Sequence, residues 1–131
     1  MDYAAPILIV DDHQIMRDVT KAIVSKLGFE RIDQASDGET ALCMLRATPA
    51  YQLVISDLQM VPMTGLQLLR AIRQDSALKH IRFILMTVSA ELGPVLAGKQ
   101  AGADAYMLKP FTPQKLRAKI EEMISHPRQP Q

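Results

Sequence analysis

The chain has 131 residues, enough to enclose one hydrophobic core and too few for two. Its 15 lysines and arginines against 14 aspartates and glutamates give a formal charge of +1, so there is no basic surplus of the kind that binds nucleic acid directly. A single cysteine, Cys43, excludes an internal disulfide, and no signal peptide or membrane-length apolar run is present. These features place the expected home in a reducing cytoplasm, away from membranes. Cys43 falls inside a predicted helix with no helix terminus or basic neighbour to activate it, which makes it an idle or packed thiol.

Residues 1–5 read as a loose N-terminal tail. Ile7 to Val10 is an apolar run suited to a central parallel strand, and Asp12 is placed to cap the helix that follows. From Gln14 to Leu27 the residues Ile15, Met16, Val19, Ile23 and Leu27 recur at three and four, which predicts one apolar stripe ending at Gly28. Arg31 to Ala35 is a short second strand. After the Asp37-Gly38 turn, Ala41, Leu42 and Leu45 give the second helix its buried face, and Pro49 ends it.

Leu53-Val54-Ile55 is the third strand and runs into Ser56-Asp57. Pro62 and Gly65 mark the turn beyond it, and Thr64 caps a helix carrying Leu66, Leu68, Leu69 and Ile72. Arg82 to Thr87 is the fourth strand. The segment from Glu91 to Ala101 must cross back as a helix, yet Gly93, Pro94 and Gly98 weaken it, so it is expected to be the least rigid element. Asp104 to Leu108 is the fifth strand, and the last helix sets Leu116, Ile120, Met123 and Ile124 on one face. The methionines, Met16, Met44, Met60, Met63, Met86, Met107 and Met123 among them, are scattered over different elements and read mostly as core filling. Residues 126–131 form a disordered tail or the start of a linker, which leaves residues 6–125 as the domain.

Strands alternating with helices at this spacing predict a three-layer α/β sandwich, a five-stranded parallel sheet covered on both faces. Right-handed crossovers favour the flavodoxin-like (βα)5 order 2-1-3-4-5. That order sets strands one and three side by side at the reversal point, where Asp11, Asp12 and Asp57 meet, with Thr87 and Lys109 on the same edge. Crowded carboxylates need a positive partner. Mg2+, with Mn2+ as a substitute, suits such an oxygen set, and Lys109 adds a fixed charge. Asp57 as nucleophile, Lys109 and the cation on phosphoryl oxygens, and the Thr87 hydroxyl on another oxygen make up the parts that phosphoryl transfer needs.

Asp11-Asp12, Asp57, Thr87 and Lys109-Pro110, each after its strand, resemble the receiver domains of bacterial response regulators, the CheY-like superfamily. The resemblance runs from about Pro6 to Ile124. It implies that Asp57 is the phosphoacceptor, charged by a sensor histidine kinase or a phosphotransfer protein. It further implies that Asp11 and Asp12 hold Mg2+ with Asp57 and the Gln59 backbone carbonyl, and that the Lys109–Pro110 bond is cis. Thr87 and Tyr106 resemble the coupled switch pair, whose movement alters a downstream partner's site on the face of helix four, strand five and helix five. Such a domain catalyses only its own phosphorylation and dephosphorylation, and works as a monomer or a phosphorylation-linked dimer.

The sequence departs from the family at Val61 and Thr64, where proline and aspartate are usual, with proline moved to Pro62. Val88 replaces a small residue and is expected to narrow access, while Gln59 and Ser89 stand where the family tunes hydrolysis. Two other readings use the same fold: a pseudo-receiver that binds proteins without being phosphorylated, and a receiver fragment of a larger regulator whose output domain is missing. Enzymes of similar fold fit less well. Asp-Asp-His-Gln would repel a flavin phosphate, and Asp57-Leu58-Gln59 lacks the second acid of a dehalogenase-like phosphatase.

Overall fold

The computed structural model describes residues 2–48, 50–88 and 91–125, the side chains of 124 and 125 excepted. Five strands alternate with five helices: β1 (Ile7–Val10), α1 (Gln14–Lys26), β2 (Ile32–Ala35), α2 (Gly38–Ala47), β3 (Leu53–Asp57), α3 (Gly65–Gln74), β4 (Arg82–Thr87), α4 (Leu92–Ala101), β5 (Ala105–Leu108) and α5 (Pro113–Ser125). All strand pairs are parallel, in the order β2-β1-β3-β4-β5. The anticipated flavodoxin-like order is therefore present, and β1 and β3 are neighbours at the reversal point.

The continuous apolar runs of the strands follow from helices on both faces. Alternate residues of one strand enter different cores. Leu8, Val10, Val54, Phe83 and Leu85 pack with Leu42, Leu45, Leu68, Leu69 and Ile72 of α2 and α3. Ile7, Leu53, Ile55, Ile84 and Met86 pack on the other side with Ile23 and Val24 of α1 and Leu116, Ile120 and Met123 of α5. Each large side chain fully withdrawn from water in this way contributes roughly 1.5–3 kcal/mol. Met60, Met86, Met107 and Met123 are all buried, in keeping with a core-filling use of methionine.

Three local expectations need correction. The buried face of α1 is Thr20, Ile23 and Val24, while Ile15 and Val19 are 78% and 45% exposed. Counting only apolar side chains rotated the stripe away from Thr20, which is buried together with its hydroxyl oxygen. Nor does Asp12 cap α1: the N-cap is His13, and no side chain hydrogen-bonds the first turn from that position. The segment 2–5 makes contacts that a loose end would not. Glu30 N–H donates to the Tyr3 carbonyl, the Tyr3 and Phe29 rings lie 4.8 Å apart, and Gln52 Nε2 donates to the carbonyls of Asp2 and Ala5.

The other caps follow the residues. Asp37 accepts from Thr40 N–H at the start of α2. Thr64 and Gln67 form a reciprocal capping box on α3, so threonine fulfils the capping role at this departure from the family pattern. Both Val61–Pro62 and Lys109–Pro110 are cis, the second as anticipated. Cys43 is exposed. Pro49, Ser89, the Ile124 side chain and the 126–131 tail lie outside the described residues.

Candidate functional site

Strand register builds the site. Val10 stands opposite Ser56, so the next residues, Asp11 and Asp57, leave the sheet side by side. On the far side of β3, Thr87 pairs with Leu108, and Lys109 N–H donates to the Thr87 carbonyl at 2.7 Å. Four strand ends thus deliver two carboxylates, a hydroxyl and an ammonium to one edge. Gly65 closes the loop beneath them. A Cβ there would stand 2.2 Å from the Asp57 carbonyl oxygen, so only glycine allows α3 to begin against that backbone.

Lys109 is the hub. Its Nζ lies 2.7 Å from Asp11 Oδ2 and 3.5 Å from Asp57 Oδ2. Asp11 is 1% exposed and Asp57 5%. Burial alone would raise the Asp11 pKa, but the Lys109 hydrogen bond, the His13 N–H, the lysine charge and the His13 side chain hold it below the usual carboxylate value. Asp57 goes the other way. Burial raises it, the Lys109 charge opposes, the Asp11 charge adds to the rise, and the Gln59 N–H, 3.3 Å from Oδ1, compensates only in part. The lysine therefore neutralises Asp11 first and leaves Asp57 the more basic, less satisfied carboxylate.

Asp12 is half open to water and joins the cluster from the rim. One ligand atom from each of Asp11, Asp12, His13 and Asp57 can be chosen so that all four lie within 4.8 Å of one another. This donor set, with two buried carboxylate oxygens beside a more exposed one, fits a small divalent cation. Behind it, Arg17 Nη1 donates to the Asp11 carbonyl at 2.7 Å and its Nε to Gln34 Oε1 at 3.1 Å, which braces the β1 exit. Sequence reasoning missed both Arg17 and His13. His13 was visible as a third potential ligand directly after the acid pair, whereas nothing in the sequence marks Arg17.

Thr87 is fully buried at the end of β4. Tyr106, opposite Leu85 in β5, keeps its hydroxyl buried, and burial raises its pKa. No well-formed hydrogen bond closes on that hydroxyl among the described residues, although the Thr87 side chain is close enough to temper the rise. Val88, one residue beyond Thr87, is 66% exposed. The structure thus brings Asp11, Asp12, Asp57 and Lys109 together, puts the Gln59 backbone on Asp57, and sets Thr87 and Tyr106 on the adjacent strands β4 and β5.

Comparison with known proteins agrees with this geometry. The family model for the response regulator receiver domain matches residues 7–121. The chain is 42% identical over 118 residues to the chemotaxis protein CheY of Pseudomonas aeruginosa, covering 90% of this chain and 94% of that one. It is 38% identical to CheY-3 of Vibrio cholerae, covering 90% of each. Among solved structures, CheY4 of Vibrio cholerae superposes with a TM-score of 0.84 at 28% identity, over 91% of this chain and 98% of that one. A putative response regulator from Chloroflexus aurantiacus reaches 0.86 at 25% identity, over 94% and 99%. With the 2-1-3-4-5 sheet and its acidic edge pocket, the chain belongs to the CheY-like response regulator receiver domains.

Proposed function

We propose that the domain accepts a phosphoryl group on Asp57 from a phosphohistidine donor, a sensor histidine kinase or a phosphotransfer protein. The observation that carries this is the unequal treatment of the two buried carboxylates: Lys109 is committed to Asp11 at 2.7 Å and stands off Asp57 at 3.5 Å. Asp57 is then the carboxylate available to attack. One of its oxygens bonds to phosphorus as the bond from phosphorus to the donor nitrogen breaks, and that nitrogen keeps the electron pair. Lys109 is within reach of the incoming phosphoryl oxygens, and the Gln59 N–H supports the carboxylate. Asp11, Asp12, Asp57 and the Gln59 carbonyl would hold Mg2+, or Mn2+ in its place. When bound, the cation supplies positive charge that offsets the crowded carboxylate and phosphoryl oxygens. Water attack on the aspartyl phosphate restores the starting state, so the domain turns over no substrate but itself.

The readout is through Thr87 and Tyr106 to the α4-β5-α5 face. Leu92, Leu96 and Leu108 are 70%, 45% and 45% exposed there. A groove of about 190 Å3 beside them is lined by Val95, Lys99, Ala103 and Tyr106. A protein partner that covers these residues would sense the Tyr106 ring directly. The domain works in the cytoplasm, in keeping with the absence of any helix long and apolar enough to cross a membrane among the described residues.

Intact mass after incubation with acetyl phosphate tests the reading. The expected result is a gain of one phosphoryl group that requires Mg2+ and is absent in Asp57→Asn. A Val88→Ala arm removes the β-branched side chain next to Thr87. Failure of both the natural chain and Val88→Ala to gain mass would overturn the proposal and favour a receiver fold kept for protein contacts alone.

A further inference from the structure

The pocket holds one candidate ligand that a carboxylate site does not need. His13 is the N-cap of α1, yet its side chain makes no capping hydrogen bond. The imidazole turns toward the acid pair, with Nδ1 2.8 Å from Asp12 Oδ1 and 3.2 Å from Asp11 Oδ1. Ligands at right angles about a common ion, each at roughly 2.1 Å, stand about 3.0 Å apart. The two separations bracket that value. Lys109 occupies the other oxygen of Asp11, Oδ2, so the oxygen nearest the imidazole is not the one the ammonium holds. The ring is 70% exposed, which leaves it reachable and free of core packing.

We propose that His13 is a nitrogen ligand to the cation held by Asp11, Asp12 and Asp57, bonding through Nδ1 with the ring proton on Nε2. The inference rests on the metal-binding reading of this pocket and deepens it. Mg2+ is a hard ion that prefers oxygen and gains little from an imidazole. Borderline ions such as Ni2+ and Zn2+ gain much more, so the mixed set tilts the site toward them. The pocket accordingly serves as an oxygen site for Mg2+ and as a mixed nitrogen–oxygen site for transition ions, with His13 setting the difference.

The test is calorimetric titration of the untagged chain with Ni2+ and, separately, with Mg2+, alongside His13→Ala and Asp57→Asn. His13→Ala is expected to weaken Ni2+ by roughly tenfold or more while Mg2+ changes by less than about threefold. Proton NMR of the Ni2+-loaded natural chain should show a paramagnetically shifted imidazole N–H resonance that His13→Ala lacks. Equal changes for the two ions, or a shifted resonance absent from the natural chain or persisting in His13→Ala, would overturn the role of His13 alone. Binding of neither ion to the natural chain, or unchanged binding of both to Asp57→Asn, would bring down the metal-site reading and this inference together.

Discussion

Tyr51 donates its hydroxyl to Asp33 Oδ2 at 2.5 Å from a side chain only 4% exposed. Burial and the hydrogen bond to Asp33 push the phenol up from 10.0 to about 12, with the Asp33 charge adding to the rise. Because the folded value lies above the unfolded one, the neutral phenol contributes stability in full below pH 10, and this contribution disappears as pH climbs through about 12. Tyr51→Phe should lose about 1 kcal/mol at neutral pH, since Asp33 is half-buried and can recover water. Urea unfolding of both chains from pH 8 upward would show the gap narrowing above pH 10; a constant gap would refute the assignment. At this scale the sequence was informative where charges crowd: Asp11, Asp12, Asp57 and Lys109 were legible because burying like charges together has no bland explanation. Side-chain direction was not. The turn of the His13 ring toward the acid pair depends on backbone angles at the β1 exit that composition does not encode.

Among the elements, α4 gives the sharpest contrast. Gly98 is its one buried residue, and a Cβ there would stand 2.9 Å from Leu85 Cδ2 and 3.4 Å from the Tyr106 ring. Gly93, on the same helix, has nothing within 4 Å. Gly93→Ala should therefore stabilise the domain by roughly 0.5–1 kcal/mol through helix propensity. Gly98→Ala makes the same helical gain but must displace a fully buried Leu85, an overpacking cost of about 1–3 kcal/mol, so net loss is expected. Chemical denaturation of the two variants decides it, and gains in both would show that α4 does not press on β4. The sequence marked both glycines as weakeners of a helix. Only the packed structure separates the one needed for close approach from the one that is not. The rotated face of α1 has a related cause, because Thr20 is buried there while being counted as polar.

For the molecule as a whole, the fold was legible because strands flanked by helices on both sides are apolar throughout, a pattern that few topologies satisfy. The segment 2–5 was not, since its ties to Phe29, Glu30 and Gln52 are long-range and irregular. The same architecture gathers charge at one edge, and this costs stability while no cation is bound. Asp57→Asn should raise the stability of the metal-free domain by about 1 kcal/mol, because Lys109 still has Asp11 at 2.7 Å and is not orphaned. Added Mg2+ should raise the melting temperature of the natural chain and leave Asp57→Asn nearly unchanged. Thermal unfolding with and without Mg2+ checks both, and a variant less stable than the natural metal-free chain would show that the Asp57–Lys109 attraction outweighs the crowding.

Arg73 of α3 reaches across to the turn that follows α4. Its Nε donates to the Gly102 carbonyl at 3.0 Å, its Nη1 to the Lys79 carbonyl at 3.1 Å, and its Nη2 meets Asp104 Oδ2 at 2.9 Å, while Asp104 also accepts from Phe83 N–H. Gly102 itself has φ +100, and a Cβ there would sit 3.1 Å from the guanidinium. The helix is thus pinned at its foot to the rigid sheet. Any movement of α4 against the sheet would therefore have Gly102 as its fixed point, holding the register of β5 and carrying the exposed Leu92 and Leu96, at the other end of the helix, the furthest.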